Sequence, residues 1–267
     1  MTAGNVNTFL CRYFRRHQFA YAHWEYKDSA DNARNAQTMA LISNKDPDIF
    51  CLQECSKTLY DVMRDDEGFG YTLCYAARKE RLEGLCIGVK NEYKSRLGYE
   101  VSKQLISDEK ENQIILLRKF KISNQSHLLI ATSHITGSHD KGVQQAQIKS
   151  AFKWLEAFSK QNDIVVFCGD FNFVHSGQPY EFISNATIHG IPVSDAKPVA
   201  LSSSPTFFTN QNQVGKELDY LLYTNDQVEP ENISDTEKET FTFEKSKKFV
   251  SDHYPVMVRF VKKREFY

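Results

Sequence analysis

Apolar positions along the chain fall into short runs separated by longer amphipathic stretches. Ile49-Phe50-Cys51-Leu52 follows Pro47-Asp48 and has the length and composition of a buried strand. Similar runs cover residues 71–76, 85–89, 114–122, 128–133, 218–223 and 254–261. The cleanest is Ile164-Val165-Val166-Phe167-Cys168, opened by Asp163. Helical patterns lie between them. Residues 33–43 place Ala36, Met39, Ala40 and Ile42 near one face. Ser56 is a candidate N-cap for a helix through Met63. Over residues 143–159, Ile148, Ala151, Phe152, Leu155 and Phe158 form an apolar stripe, and Trp154 is read as core. Strands outnumber helices, and helices separate some of them. That pattern predicts an α/β sandwich with sheets inside and helices outside. Residues 226–238 read as the longest loop. No repeat, low-complexity segment or linker interrupts the chain, so residues 1–267 are expected to form one domain.

Composition narrows the function classes. An apolar fraction of 41% supports a sizeable core. The net charge of −1 excludes a bulk positive field that would recruit nucleic acid, so a polyanionic substrate would need local capture by metal or a focused basic patch. The basic clusters at Arg12, Arg15 and Arg16, at Lys245, Lys247 and Lys248, and from Lys262 to Arg264 read as solvated charge. The 6 cysteines form no CxxC pair and no zinc-finger spacing. Cys51, Cys86 and Cys168 sit inside apolar runs as small hydrophobes. With no signal-like or membrane-length apolar run, a reduced intracellular, cytoplasmic setting is expected, and the sequons at Asn124, Asn185 and Asn232 read as chance.

Acidic and histidine-bearing clusters gather at strand ends, where a rigid sheet can aim several side chains at one point. Leu52-Gln53-Glu54 follows the run IFCL directly, and its carboxylate is a hard ligand suited to Mg²⁺. Gly169-Asp170-Phe171-Asn172 follows IVVFC. The glycine permits a sharp turn, and in extended geometry Asp170 and Asn172 point to the same side, able to orient a water against phosphorus. A plain Asp/Asn turn is the alternative reading. Asp219 opens the apolar run DYLLY, where a carboxylate needs a partner; a histidine would serve. Asp252 and His253 are adjacent before the last strand and point apart in extended chain. Thr132-Ser133-His134-Ile135 closes the run LLIA, making His134 a candidate phosphate contact. Each cluster alone also fits ordinary surface or turn polarity; their joint occurrence in this order is specific.

LQE, a histidine at a strand end, GDFN, DYxxY and SDHxPV together resemble the endonuclease/exonuclease/phosphatase superfamily, over about Asn5 to Phe260. The resemblance implies a four-layer α/β/β/α sandwich and Mg²⁺-dependent phosphodiester hydrolysis, with Mn²⁺ as a substitute. It implies that Glu54 and Asp252 serve the metal, with Asn7 preferred over Asn5 as a further member. Asp170 would activate or position water, and Asn172 would orient it and the phosphate. His253, held by Asp219, would stabilise charge on the phosphate, and His134 would contact it.

His134, the segment LEGLCIGVK, the stretch GDFNFVHSGQPYEFI and SPTFFTN before LDYLLY resemble the deadenylase-like branch of nocturnin and Angel proteins. That likeness implies a 3′–5′ exoribonuclease on single-stranded RNA, with poly(A) as one substrate. Phe207 or Phe208 would stack on a base and Asn210 would bond its edge, unless both rings are core. The N-terminal half matches this branch poorly outside LQE. The competing expectations are a small-molecule or lipid phosphoesterase, a DNA-repair-type nuclease and a non-catalytic binding module of the same fold.

Overall fold

The computed structural model describes residues 9–13, 28–79, 81, 83–106, 113–137, 140–196, 207–208, 215–224, 226–231, 240–243, 246–249, 253 and 256–263. β1 (Phe9–Tyr13) is followed by α1 (Asp28–Lys45), β2 (Ile49–Ser56) and α2 (Lys57–Asp65). Then come β3 (Tyr71–Ala77), β4 (Glu83–Lys90), β5 (Leu97–Leu105), β6 (Ile114–Lys121) and β7 (His127–His134). α3 (Lys141–Phe158) leads to β8 (Ile164–Asp170), α4 (Gln178–Ser184), β9 (Thr187–Ile188) and β10 (Ile191–Asp195). The remaining strands are β11 (Phe207–Phe208), β12 (Gly215–Lys216), β13 (Asp219–Thr224), β14 (Val228–Glu231), β15 (Thr240–Phe243), β16 (Ser246–Phe249) and β17 (Val256–Lys262).

Side-chain alternation explains how these strands stack. Along β7, Leu128 and Ile130 enter one apolar cluster, while Leu129 and Ala131 enter another. One sheet runs β14-β17-β1-β2-β4-β3, and the other β5-β6-β7-β8-β13-β10-β9. Their inner faces share a core in which Ile49, Cys51 and Ile87 meet Leu116, Ile130 and Val166. The outer face of the first sheet packs Phe50 and Leu52 on Ile42 of α1 and Leu59 and Met63 of α2. The outer face of the second packs Leu129, Val165 and Phe167 on Ile148, Phe152 and Leu155 of α3 and Ile183 of α4. The layers therefore run helix, sheet, sheet, helix, as the sequence pattern predicts.

The predicted runs all become strands, with shifted ends. Ser56 caps α2 as expected, its Oγ accepting the Leu59 N–H at 3.0 Å. The expected loop over 226–238 is corrected over Val228–Glu231, where β14 pairs antiparallel with β17 at the sheet edge and Pro230 is tolerated because an edge strand has an unpaired side; residues 232–238 lie outside the described residues. β5, also an edge strand, has no counterpart in the predicted set. Cys51, Cys55, Cys74, Cys86 and Cys168 are buried and form no disulfide with one another, and burial pushes the Cys74 thiol up to about 12. No helix among the described residues is long and apolar enough to cross a membrane.

Candidate active site

Strand register builds one side of the site. β7 and β8 are parallel neighbours, with His134 opposite Asp170 at their ends. β13 runs antiparallel to β8 and sets Asp219 opposite Asp170. His134, Asp170 and Asp219 thus sit side by side at one end of the second sheet. Gly169 makes this spacing possible. It lies inside β8 rather than at the expected sharp turn, and a Cβ there would sit 1.9 Å from the Ser133 carbonyl oxygen.

Glu54 arrives from the first sheet. It does not simply follow a strand; it lies within β2, at an irregularity between Leu52 and Cys55. Leu52 pairs with Cys86 and Cys55 with Gly84, so Gln53 and Glu54 together oppose Leu85. Glu54 has a φ of 51°, a left-handed conformation that absorbs the extra residue. Regular alternation would send Glu54 outward with Leu52. The bulge sends Cys55 outward instead, into the cluster under α2, and leaves Glu54 facing His134, with Oε1 3.7 Å from its Nδ1. Gln53, fully buried beside it, donates to Thr132 Oγ1 at 2.6 Å and ties the sheets together below the site.

Asp170 and Asn172 meet by a turn, which corrects the extended geometry expected for them. Asn172 has a φ of 55°, and its N–H donates to Asp170 Oδ1 at 2.8 Å. The turn chemistry that competed with the functional reading is the device that assembles the site. Asn172 Nδ2 donates to the Ile135 carbonyl at 2.8 Å, which fixes the amide's orientation. The same nitrogen lies 3.0 Å from His134 Nε2, so that ring nitrogen accepts and the imidazole proton sits on Nδ1, toward Glu54.

His253 is 2% exposed, and its Nδ1 lies 2.8 Å from Asp219 Oδ2, the carboxylate partner anticipated for it. Its Nε2 faces Asp170 Oδ2 at 3.9 Å. Burial above all holds the Asp170 carboxyl well above the usual carboxylate range. His253 opposes the rise, Asp219 adds to it, the Asn172 N–H opposes it and Glu54 adds to it. Such a concentration of buried and half-buried carboxylate oxygens suits a hard divalent cation. Among the described residues, no group of three or more His, Cys, Asp or Glu is arranged to hold a metal by itself. The other expected metal ligands, Asp252 and Asn7, lie outside the described residues, as does Asn210. Phe207 and Phe208 form β11, paired with β12.

Some neighbours of the site carry no mark in the sequence. Gln144 and Gln147 are buried on α3 behind the loops after β7 and β8. Isolated glutamines in an amphipathic helix ordinarily read as solvated. His175 stacks on Tyr220 at 4.6 Å, with Nε2 2.9 Å from Asp195 Oδ2 and Nδ1 2.9 Å from Glu217 Oε2. Its carboxylates are distant in sequence, so spacing gives no signal.

The chain matches the family model described as "Endonuclease/Exonuclease/phosphatase family" over residues 5–253. It is 26% identical to "Protein angel" of Drosophila melanogaster over 180 residues, 62% of this chain and 51% of that protein. The chain thus spans about half the length of that curated relative. Its structure resembles the human Nocturnin catalytic domain with bound sulfate, with a TM-score of 0.73 and 15% identity, covering 97% of this chain and 96% of that one. It also resembles ANGEL2, described as a 2′,3′-cyclic phosphatase in complex with adenosine-2′,3′-vanadate, with a TM-score of 0.68, 15% identity and 95% coverage of both chains. The ordered motifs, the four layers and the family match agree: the chain belongs to the endonuclease/exonuclease/phosphatase family of phosphate-ester hydrolases.

Proposed function

We propose that this chain is a Mg²⁺-dependent phosphodiesterase that removes nucleotides from the 3′ end of single-stranded RNA, with poly(A) among its substrates. The observation that carries the chemistry is the convergence of Glu54, His134, Asp170, Asn172 and the Asp219–His253 pair at one end of the stacked sheets. The likeness to the Drosophila Angel protein agrees with the motif resemblance to the deadenylase-like branch, and the RNA substrate is inferred from that resemblance. Residues 1–267 are read as one intracellular catalytic domain.

Glu54 would hold the metal, with Asp252 and Asn7 as further ligands. A bound Mg²⁺ supplies Lewis-acid stabilisation of charge on the phosphate. In its ionised form, made more basic by burial, Asp170 accepts a proton from the attacking water and, with Asn172, aligns that water with phosphorus. The new bond is from water oxygen to phosphorus, and the bond that breaks is from phosphorus to the leaving ribose oxygen. His253 Nε2 and His134 supply polar contacts to the phosphate oxygens, with Asp219 fixing the His253 ring and stabilising positive charge on it. Phe207, Phe208 and Asn210 are proposed to receive the base.

A second reading is hydrolysis of a 2′,3′-cyclic phosphate at an RNA end, favoured by the likeness to Angel proteins. A substrate panel separates the readings. With Mg²⁺, 3′-hydroxyl oligo(A) should shorten from its 3′ end, and EDTA or Glu54→Gln should abolish this. Intact oligo(A) with opening of a cyclic-phosphate end would select the second reading. Cleavage of abasic DNA, or of an inositol phosphate alone, would reject both.

A further inference from the structure

Asn172 holds a left-handed backbone, which asparagine tolerates but does not favour. Its N–H is held by Asp170 Oδ1, and its side-chain nitrogen by Ile135 O and His134 Nε2. Its own carbonyl is held from behind. Gln144, 0% exposed in the first turn of α3, donates from Nε2 to the Asn172 carbonyl at 2.9 Å and to the Thr136 carbonyl at 2.9 Å. Gln144 Oε1 accepts from Lys141 Nζ at 3.1 Å, so every polar atom of this buried amide is engaged. Gln147, the next residue on the same face, accepts the Thr136 N–H at 2.9 Å.

We infer that Gln144 is a positioning residue for Asn172: its amide pins together the loops after β7 and β8, fixing the left-handed turn that aims Asn172. His134 ends β7, Ile135 opens the loop after it and Asn172 lies in the loop after β8; these groups hydrogen-bond each other in front of the sheet. A side chain of equal bulk without donors would fill the space but release the Asn172 carbonyl. The turn could then relax toward conformations asparagine prefers, and the amide would leave His134. This inference rests on the proposed hydrolytic reading of the site, but the position of Asn172 can be measured without it.

Gln144→Met keeps volume and removes both donors. Its kcat on oligo(A) with Mg²⁺ should fall about 10–100-fold, with KM changed less than about threefold, the loss typical of a misplaced reacting group. In protein labelled with ¹⁵N-asparagine, the Asn172 side-chain amide, assigned with Asn172→Ala, should shift and exchange faster in Gln144→Met. Leu155→Ala, about three turns along the same helix, should lower stability while leaving kcat and that resonance unchanged. In an Asn172→Ala background, Gln144→Met should add no further loss of kcat. An unmoved Asn172 resonance with full kcat in Gln144→Met would overturn the inference. So would an undiminished kcat loss in the Asn172→Ala background. A wild-type protein inactive on every phosphoester would remove the proposed function, while the Asn172 resonance would still decide the role of Gln144.

Discussion

Gly169→Ala tests whether the separation of β7 and β8 sets the site. The added Cβ would lie 1.9 Å from the Ser133 carbonyl oxygen, 3.0 Å from its carbon and 3.2 Å from its nitrogen. These are backbone atoms of a central strand, so no side chain can swing away. The φ of 156° at Gly169 is itself a conformation that L-residues rarely adopt. The strands would have to part by about 1 Å, which stretches neighbouring ladder bonds from about 2.9 Å to about 4 Å, beyond hydrogen bonding. Losing about two ladder bonds at about 1 kcal/mol each, plus about 1–3 kcal/mol of overpacking, gives a loss of about 3–5 kcal/mol. Set against a typical stability of about 5–15 kcal/mol, this leaves a folded but weakened protein. Urea unfolding should show an unchanged m and a midpoint lower by about 1–2 M. His134 and Asp170 end these same strands, so kcat of the folded fraction should fall about 100-fold. Gly88→Ala is the control. Its Cβ meets the Phe50 ring at 2.2 Å in the other sheet, so stability should drop with kcat retained. A Gly169→Ala protein with wild-type midpoint and kcat would refute the argument.

The Asp170 carboxyl is held above its ordinary range mainly by burial, so its neutral form is the one the fold favours. Its contribution to stability is full below the unfolded value of 3.8 and is lost as pH rises through the raised folded value. Asp170→Asn should therefore be inactive yet melt above wild type at pH 8 in EDTA, with the advantage vanishing below about pH 4; a melting point below wild type at pH 8 would contradict this. Asp219→Ala strips the buried His253 Nδ1 of its acceptor, and should lower stability by about 1–3 kcal/mol in denaturant titrations. The same variant should lower kcat at least about 100-fold with KM little changed, and equal losses in KM would point to substrate binding instead.

The layers were legible because buried strands need short apolar runs and core-facing helices need a helical stripe. Both are local patterns. β14 escaped detection because Val228-Glu229-Pro230-Glu231 has the composition of a loop, and only pairing with β17 makes it a strand. The candidates Glu54, His134, Asp170, Asn172, Asp219 and His253, which the structure brings together, could be picked out in the sequence because their residue types follow recognisable runs in a specific order.

Their arrangement was not legible. The need to partner a carboxylate at the start of an apolar strand anticipated a histidine beside Asp219, and the family resemblance named His253, but the contact's geometry required β13 and the approach to β17 to meet. Glu54 faces the site only because a bulge against β4 reverses the alternation of β2, and Asn172 only because a turn closed by Asp170 and backed by Gln144 holds it left-handed. The sequence alone determined which chemical groups are present and which strands carry them. Where those groups point was decided by tertiary structure, because bulges, turn closure and buried amide contacts depend on partners far away in the chain.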